Sequence, residues 1–339
     1  MHFFSQFKTK PFAKLIKKPE LNLANYNKAV IVHWGENPTV DYYFKNRTIF
    51  NINICIFLDL TKNQNPPSLD NQTIIIIVRY MDSSIVQWLI NHKRHGCGLI
   101  FFMDDDLPEN MYDTTLPWRY RLRLWNLFGK HLKKIEMLAD ELWVSTPTLY
   151  QLYADIRNIR QIQPQALQIE SSKHKKSIVT YFYHGSPSTH RQDIEWLTEV
   201  VRITQNNSES LVFMIVGDKQ VRQQFSKQPR TIILHPMQWS TYRDNLSVIS
   251  HHIGLAPLLN TKFNNTRSPS RFFDFTRLDA VGLYSNSPPY CHFIQDGIDG
   301  YLLPNDPSEW SKKIIELANN PQIRLEILNN AKQRNNEKY

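Results

Sequence analysis

Short, unbroken apolar runs recur along this chain, and none alternates apolar with polar residues. Residues 29–33 (AVIVH), 53–58 (NICIFL), 73–78 (TIIIIV), 98–103 (GLIFFM) and 141–144 (ELWV) are each of strand length. A strand with one wet face would alternate with period two, so runs like these belong in a sheet covered on both faces. Residues 83–95 and 118–140, lying between them, read as helices. Strand and helix in alternation is the rhythm of a parallel α/β sheet.

That rhythm stops at residues 159–177. The stretch QIQPQALQIESSKHKKS is polar, carries a proline and shows no strand pattern, so it reads as an interdomain linker. A second series follows at 177–183, 211–216, 231–234, 252–256 and 281–285. The helix expected over 192–204 sets Ile194, Leu197, Val200 and Val201 on one face. From 307 onward the chain reads as helical and polar. A length of 339 residues suits two domains, drawn here at 1–165 and 177–339. The expected architecture is two Rossmann-like, doubly wound α/β domains facing a central cleft. In such open sheets ligands bind beyond the carboxyl ends of the strands, so chemistry is sought there.

Composition narrows the class. An apolar fraction of 41% and an aromatic fraction of 12% are globular values, and the formal charge of +9 attracts anions. The cations are spread along the chain without a recognised nucleic-acid module, which argues against a nucleic-acid partner. Cys55, Cys97 and Cys291 are odd in number and far apart, unlike a zinc site or a disulfide framework. With no signal-peptide pattern and no apolar run long enough to span a bilayer, the expected location is cytoplasmic. The opening MHFFSQFKTKPFAKLIKKP mixes phenylalanines with lysines. Residues 1–25 therefore read either as a terminus partly packed on the body or as a segment touching an anionic membrane. Pro11 argues against one continuous helix there.

Three constellations follow predicted strands. In the first half, GLIFFMDDDLPEN puts Asp104, Asp105 and Asp106 at a strand's carboxyl end. Such acids repel one another, raising a pKa unless a cation or arginine intervenes. They read as a general base or a holder of acceptor hydroxyls. They read also as an Asp-x-Asp site for Mg²⁺ or Mn²⁺, or as the N-cap of the next turn. In the second half, YFYHGSPSTHRQ offers His184 and His190, with Gly185 and Ser186 where backbone can approach a phosphate. Further on, a polar loop leads to a helix with Ser268 as N-cap and Pro269 at its first position. That helix start, with Arg267 and Arg271, suits a diphosphate. Ser270 and Asp274 share a helix face, from which the carboxylate would accept hydroxyl hydrogen bonds.

SPSRFFDFTRLDAVGLYS and IQDGIDGYLL resemble the donor-binding end of GT-B glycosyltransferases of family 4, the "group 1" set. The resemblance implies transfer of a sugar from a nucleotide-sugar donor to a glycan or lipid-linked glycan in bacterial surface polysaccharide synthesis. Asp274 stands where the family's second acid meets the nucleotide ribose, and Ser270 and Arg271 stand where its Ser-Lys pair lies. Eight positions before Asp274 the family has another acid; here Thr266 departs from the pattern. Gly217 and Asp218 match a glycine element after a strand, and Gly185 and Ser186 match the opening loop. The first half resembles bacterial polysaccharide glycosyltransferases through DYYF, VRY, MDDDLP and ADELWVSTPTLYQLY, with Ser145 and Thr146 as caps. His235-Pro236 is similar to a pair that sialyltransferases and some Kdo transferases set against a CMP-sugar phosphate. The resemblance thus implies catalytic roles for Asp104, Asp105, Asp106 and His184. Donor contacts fall to Gly185, Ser186, Gly217, Asp218, His235, Arg267, Ser268, Ser270, Arg271 and Asp274. No cofactor is required, and a divalent cation enters only on the Asp-x-Asp reading. An inactive GT-B scaffold or sugar-binding module, and a CMP-sugar transferase, remain as alternatives.

Overall fold

The computed structural model describes residues 11–47, 52, 54–62, 64–167, 178–246 and 249–336. The chain falls into two compact units. One comprises Met1–Pro164 with Thr266–Ser268, the other Gln165–Asn265 with Pro269–Tyr339.

The first unit runs β1 (Lys28–His33), α1 (Pro38–Val40), a π-type stretch Asp41–Lys45, β2 (Ile54–Asp59) and β3 (Thr73–Val78). Next come α2 (Ser83–Arg94), β4 (Gly98–Met103), α3 (Leu107–Tyr112), α4 (Trp118–Leu127) and α5 (Leu132–Leu138). It ends with β5 (Glu141–Val144), α6 (Pro147–Leu152) and β6 (Ile159–Gln161). All strand pairs are parallel, in the order β2-β1-β3-β4-β5-β6. Every residue of β3 and β4 is buried, the reason these strands read as unbroken apolar runs.

Two expectations change here. Ile159–Gln161, read as linker, pairs with β5 as an edge strand; its residues are only half-buried, so it lacks the apolar signature of the inner strands. The helix expected over 118–140 is two helices joined by the 3-10 stretch Gly129–His131. Phe128, at φ −135° and ψ −59°, leaves helical geometry to place its ring 5.7 Å from Phe101. Phe12 and Leu15 of the basic N-terminal stretch are fully buried in this core, which agrees with the reading of a terminus partly packed on the body. Phe12 lies 5.7 Å from Phe101 and 5.9 Å from Tyr153, while its N–H donates to Glu136 at 2.7 Å. Burial of such a ring contributes about 1.5–3 kcal/mol, so these two side chains belong to the fold. Phe3, Phe4 and Phe7 lie outside the described residues.

The second unit runs β7 (Thr180–Tyr183), α7 (Arg191–Asn207), β8 (Val212–Val216), α8 (Lys219–Phe225) and β9 (Thr231–Leu234). It continues through α9 (Trp239–Asn245), β10 (Ile253–Ala256), α10 (Lys262–Asn265), α11 (Ser270–Arg277) and β11 (Val281–Ser285). β12 (Tyr301–Leu303), α12 (Pro307–Asn319) and α13 (Pro321–Asn336) complete it. The order β12-β11-β10-β7-β8-β9 is again parallel throughout and is the doubly wound Rossmann order. Ile194, Leu197, Val200 and Val201 of α7 are buried, as the spacing requires. Gly254 on β10 lets α11 settle on the sheet, because a Cβ there would meet the Phe275 ring at 2.6 Å.

Candidate functional site

In a doubly wound sheet, strand order reverses at a switch point where the connections part and leave a crevice. Each unit has one: between β1 and β3 in the first, and between β7 and β10 in the second.

At the first switch point three segments converge. Thr39, in α1 just past β1, donates its hydroxyl to Asp104 Oδ2 at 2.5 Å. Arg79, directly after β3, sets Nη1 3.5 Å from the same oxygen and Nη2 3.2 Å from Asp105 Oδ2. Its Nε lies 3.2 Å from Asp104 Oδ1, an ion-pair distance without hydrogen-bond alignment. The remaining donor of Nη2 goes to Tyr80 Oη at 2.9 Å. Arg79 adopts φ +65°, a conformation costly for a side chain with a Cβ and one that collects at functional sites. Burial pushes the Asp104 carboxyl up, and neighbouring Asp105 adds to that, while Arg79 and the Thr39 hydroxyl oppose it. The net direction is upward.

Asp106 has a different task. It caps α3, accepting from the Glu109 N–H at 3.2 Å and from the Tyr153 hydroxyl at 2.9 Å. Burial raises its pKa against those two bonds. The capping reading therefore fits Asp106, while Asp104 and Asp105 share one guanidinium. Ser145 donates to the Asp104 carbonyl at 3.0 Å, and Thr146 caps α6 through the Leu149 N–H at 3.2 Å.

At the second switch point, His184 follows β7 and is buried. The Tyr242 hydroxyl on α9 donates to Asp274 Oδ2 at 2.6 Å and lies 3.2 Å from His184 Nδ1. With its proton committed to Asp274, the phenolic oxygen accepts from His184 Nδ1–H. That network assigns the tautomer and leaves Nε2 a bare acceptor. Nε2 is buried with no hydrogen-bond partner among the described residues. Burial, then His251, hold the His184 pKa well below its usual value, against the pull of Asp274. The ring is neutral at pH 7.

Asp274 is itself enclosed. Arg277 Nη2 sits 2.8 Å from Oδ1 and Arg271 Nη1 sits 3.4 Å from Oδ2. Burial raises its pKa, but Arg277, Arg271 and Tyr242 outweigh that and the net shift is downward. The family-like acid therefore stands as an ionised charge centre that fixes two arginines. Arg271 keeps a quarter of its side chain exposed, whereas Arg277 is almost wholly buried.

The other expected residues are distributed as follows. Ser268 does not cap α11: the N-cap is Pro269, with no side-chain hydrogen bond, and the helix begins at Ser270. The Ser268 Oγ lies instead 2.7 Å from Tyr43 Oη, and Arg267 and Ser268 group with the first compact unit. Ser270 opens α11 half-buried. Gly185 is required by packing, since a Cβ would fall 2.3 Å from the Tyr183 hydroxyl. Ser186 is exposed and pairs with Ser188 at 3.0 Å. Gly217 gives room to Val221, and Asp218 caps α8 through the Gln220 and Val221 N–H groups at 3.0 and 3.1 Å. His235 is exposed at the end of β9, the edge strand, with Arg222 3.1 Å from its Nε2. His190 is buried 2.9 Å from Asp193, whose other oxygen accepts from the Leu259 N–H at 3.0 Å. That pair pins the loop after β10 to the start of α7. Thr266 is buried.

Sequence reasoning missed Thr39, Arg79, Tyr242 and Arg277. VRY placed an arginine at the end of a predicted strand, which was a usable signal; Tyr242 carried none.

No protein-family model matches this sequence, and no curated protein matches it either. Solved structures do. A variant of TarM from S. aureus, solved with fondaparinux, alpha-GlcNAc-glycerol and UDP, is 16% identical over 80% of this chain, with a TM-score of 0.59. This chain spans about half of that one (53%). HepE from Anabaena, solved with UDP and glucose, is 12% identical, covering 93% of this chain and 96% of its own, with a TM-score of 0.58. Sucrose-phosphate synthase from Thermosynechococcus elongatus is 12% identical over 91% of this chain and 94% of its own, with a TM-score of 0.57. The fold is that of the GT-B glycosyltransferases.

Proposed function

We propose that this chain is a glycosyltransferase that moves a sugar from a nucleotide-sugar donor to a glycan or lipid-linked glycan acceptor, in surface polysaccharide synthesis. The observation that carries the reading is the second switch point. There a bare, buried His184 Nε2 at the end of β7 joins Arg271 in the first turn of an uncapped helix, α11. Free N–H groups and a guanidinium at a helix start suit a diphosphate, and an unpaired acceptor suits a hydroxyl or N–H of the donor. The solved neighbours bearing UDP support a nucleoside diphosphate donor for this chain. In the first unit Asp104 and Asp105 hold acceptor hydroxyls or remove a proton. Arg79 balances their charge where a divalent cation would otherwise be needed, so we assign no metal to them.

Two observations favour a second reading, an inactive GT-B scaffold. Both Asp274 oxygens are engaged within the protein, and Thr266 stands where a further acid is expected. A thermal-shift screen of UDP, GDP, CMP, ADP and dTDP, with and without Mg²⁺, tests both. Stabilisation by one nucleotide, lost in Arg271→Ala and accompanied by slow donor hydrolysis, supports the enzyme. Silence at millimolar concentration of every nucleotide leaves the scaffold.

A further inference from the structure

The helix α4 has apolar residues on two faces. Leu124 and Leu127 are buried in the first unit's core, as an amphipathic helix requires. Trp118, Leu122 and Trp125, at i, i+4 and i+7, form a second ridge exposed by 62%, 49% and 38%, with Trp125 partly packed against Gly129. Large aromatic and aliphatic side chains lined up in this way are unusual on a soluble surface. The charge around them is one-sided. Residues 114–135 contain no Asp or Glu but carry Arg119, Arg121, Arg123, Lys130, Lys133 and Lys134. Of these, all but Arg121 are exposed, and the Arg119 guanidinium lies over the Trp118 ring at 5.5 Å.

We propose that this face of α4, with the lysines that follow it, is a docking surface for an anionic lipid bilayer. Tryptophan and leucine enter the headgroup boundary while the arginines of α4 and the exposed lysines that follow it in the chain meet acidic headgroups, the pattern of an interfacial helix. A protein partner would call for matching acids and some polar complementarity, whereas Asn126 is the one uncharged polar side chain among the exposed residues of α4, the others being apolar or cationic. The N-terminal segment is a poorer anchor in the described residues, because Phe12 and Leu15 are spent on the core. Among those residues no helix is long and apolar enough to cross a membrane, so the contact is with the surface. It requires no glycosyl transfer and stands whether or not the chain is an enzyme.

Co-sedimentation of the full chain with vesicles tests it, using phosphatidylcholine alone and phosphatidylcholine with phosphatidylglycerol. Binding is expected to the anionic vesicles only, and to weaken in high salt. The double variant Trp118→Ser with Leu122→Ser should lose about tenfold or more in affinity. Lys133→Glu with Lys134→Glu should lose a similar factor. Both pairs are exposed, so an unchanged melting temperature shows that folding is intact. A variant with Phe3, Phe4 and Phe7 all changed to Ser should bind as the wild type does. The proposal is overturned if the wild type ignores anionic vesicles, or if the N-terminal variant alone loses binding. It fails also if the ridge variant keeps its vesicle affinity and instead loses affinity for a soluble oligosaccharide.

Discussion

The Tyr242 hydroxyl donates to Asp274 Oδ2 at 2.6 Å, and through that one bond the end of β7 is tied to α11. His184 leans on the phenolic oxygen, Asp274 holds the phenolic proton, and Arg271 and Arg277 hold Asp274. The relay explains how a buried histidine stays neutral in a single tautomer with an acceptor to spare. It also explains why the carboxylate can be buried: its charge is matched by two guanidinium groups and a phenol.

Removing the phenolic oxygen breaks both bonds of the relay at once. Tyr242→Phe should cost about 1–3 kcal/mol in chemical denaturation, because His184 Nδ1–H is left buried without an acceptor. Asp274→Asn should cost more, about 3–5 kcal/mol, since the buried charge of Arg277 then loses its carboxylate partner Asp274. Equal losses in the two variants would mean that the charge of Asp274 contributes little.

The same relay fixes a pH dependence. The folded His184 pKa is depressed well below its unfolded value of 6.5. In that window the unfolded chain binds a proton that the folded one does not. Stability from this group is therefore complete above about 6.5 and falls as pH drops below it, by up to about 1.4 kcal/mol per pH unit. Asp274, with a lowered folded pKa, loses its contribution only at more acid pH. Asp104 and Asp106 act oppositely, since their raised folded values favour the folded state as pH falls toward the ordinary carboxylate range. Urea denaturation of wild type and His184→Asn between pH 7 and 5 checks this. The variant should show the shallower fall.

Arg79 is the charge on which the first switch point depends. Arg79→Ala leaves Asp104 and Asp105 buried side by side, and should destabilise by about 3–5 kcal/mol. Adding Asp104→Asn to Arg79→Ala should recover part of that loss, a coupling that a double-mutant cycle reads directly. Arg79→Lys should not substitute, because one ammonium cannot make the forked contacts to two carboxylates and Tyr80. Spectroscopy of Mn²⁺ gives the complement: binding at the cluster should emerge in Arg79→Ala and be absent in the wild type.

How far the fold was legible follows from burial. β3 and β4 are enclosed on both faces, so their composition announces them, whereas β6 and β12 are three-residue edge strands that are mostly half-buried. Phe12 and Leu15 were obscured by neighbouring lysines, because charge density masks which apolar residues reach the core. For the sites, Asp104–Asp106 and Asp274 stood out by position after a strand or in a helix. Their partners did not: Arg79 to Asp104 and Tyr242 to Asp274 are pairings between separate elements that only tertiary packing supplies. Ser268 looked like a cap by residue type, yet capping depends on backbone direction, and here Pro269 occupies that place.

The packing of Phe12 can be tested by stability. Phe12→Ala removes a wholly buried ring that lies among Phe101, Phe128 and Tyr153. The expected cost is about 3–5 kcal/mol. A change confined to a few tenths of a kcal/mol would return this segment to the surface.

The two donor classes differ in what they require of His235. His235-Pro236 would serve a CMP-sugar only if it stood near the switch point, yet β8 lies between β9 and β7 and His235 is exposed beside Arg222. His235→Ala should therefore leave nucleotide affinity unchanged, while Arg271→Ala should weaken it by about tenfold or more through loss of a charge-assisted contact to phosphate. Titration calorimetry with whichever nucleotide stabilises the protein reads both. If CMP is that nucleotide and His235→Ala abolishes its binding, the donor site lies at the β9 edge, and the assignment to His184 and Arg271 is wrong.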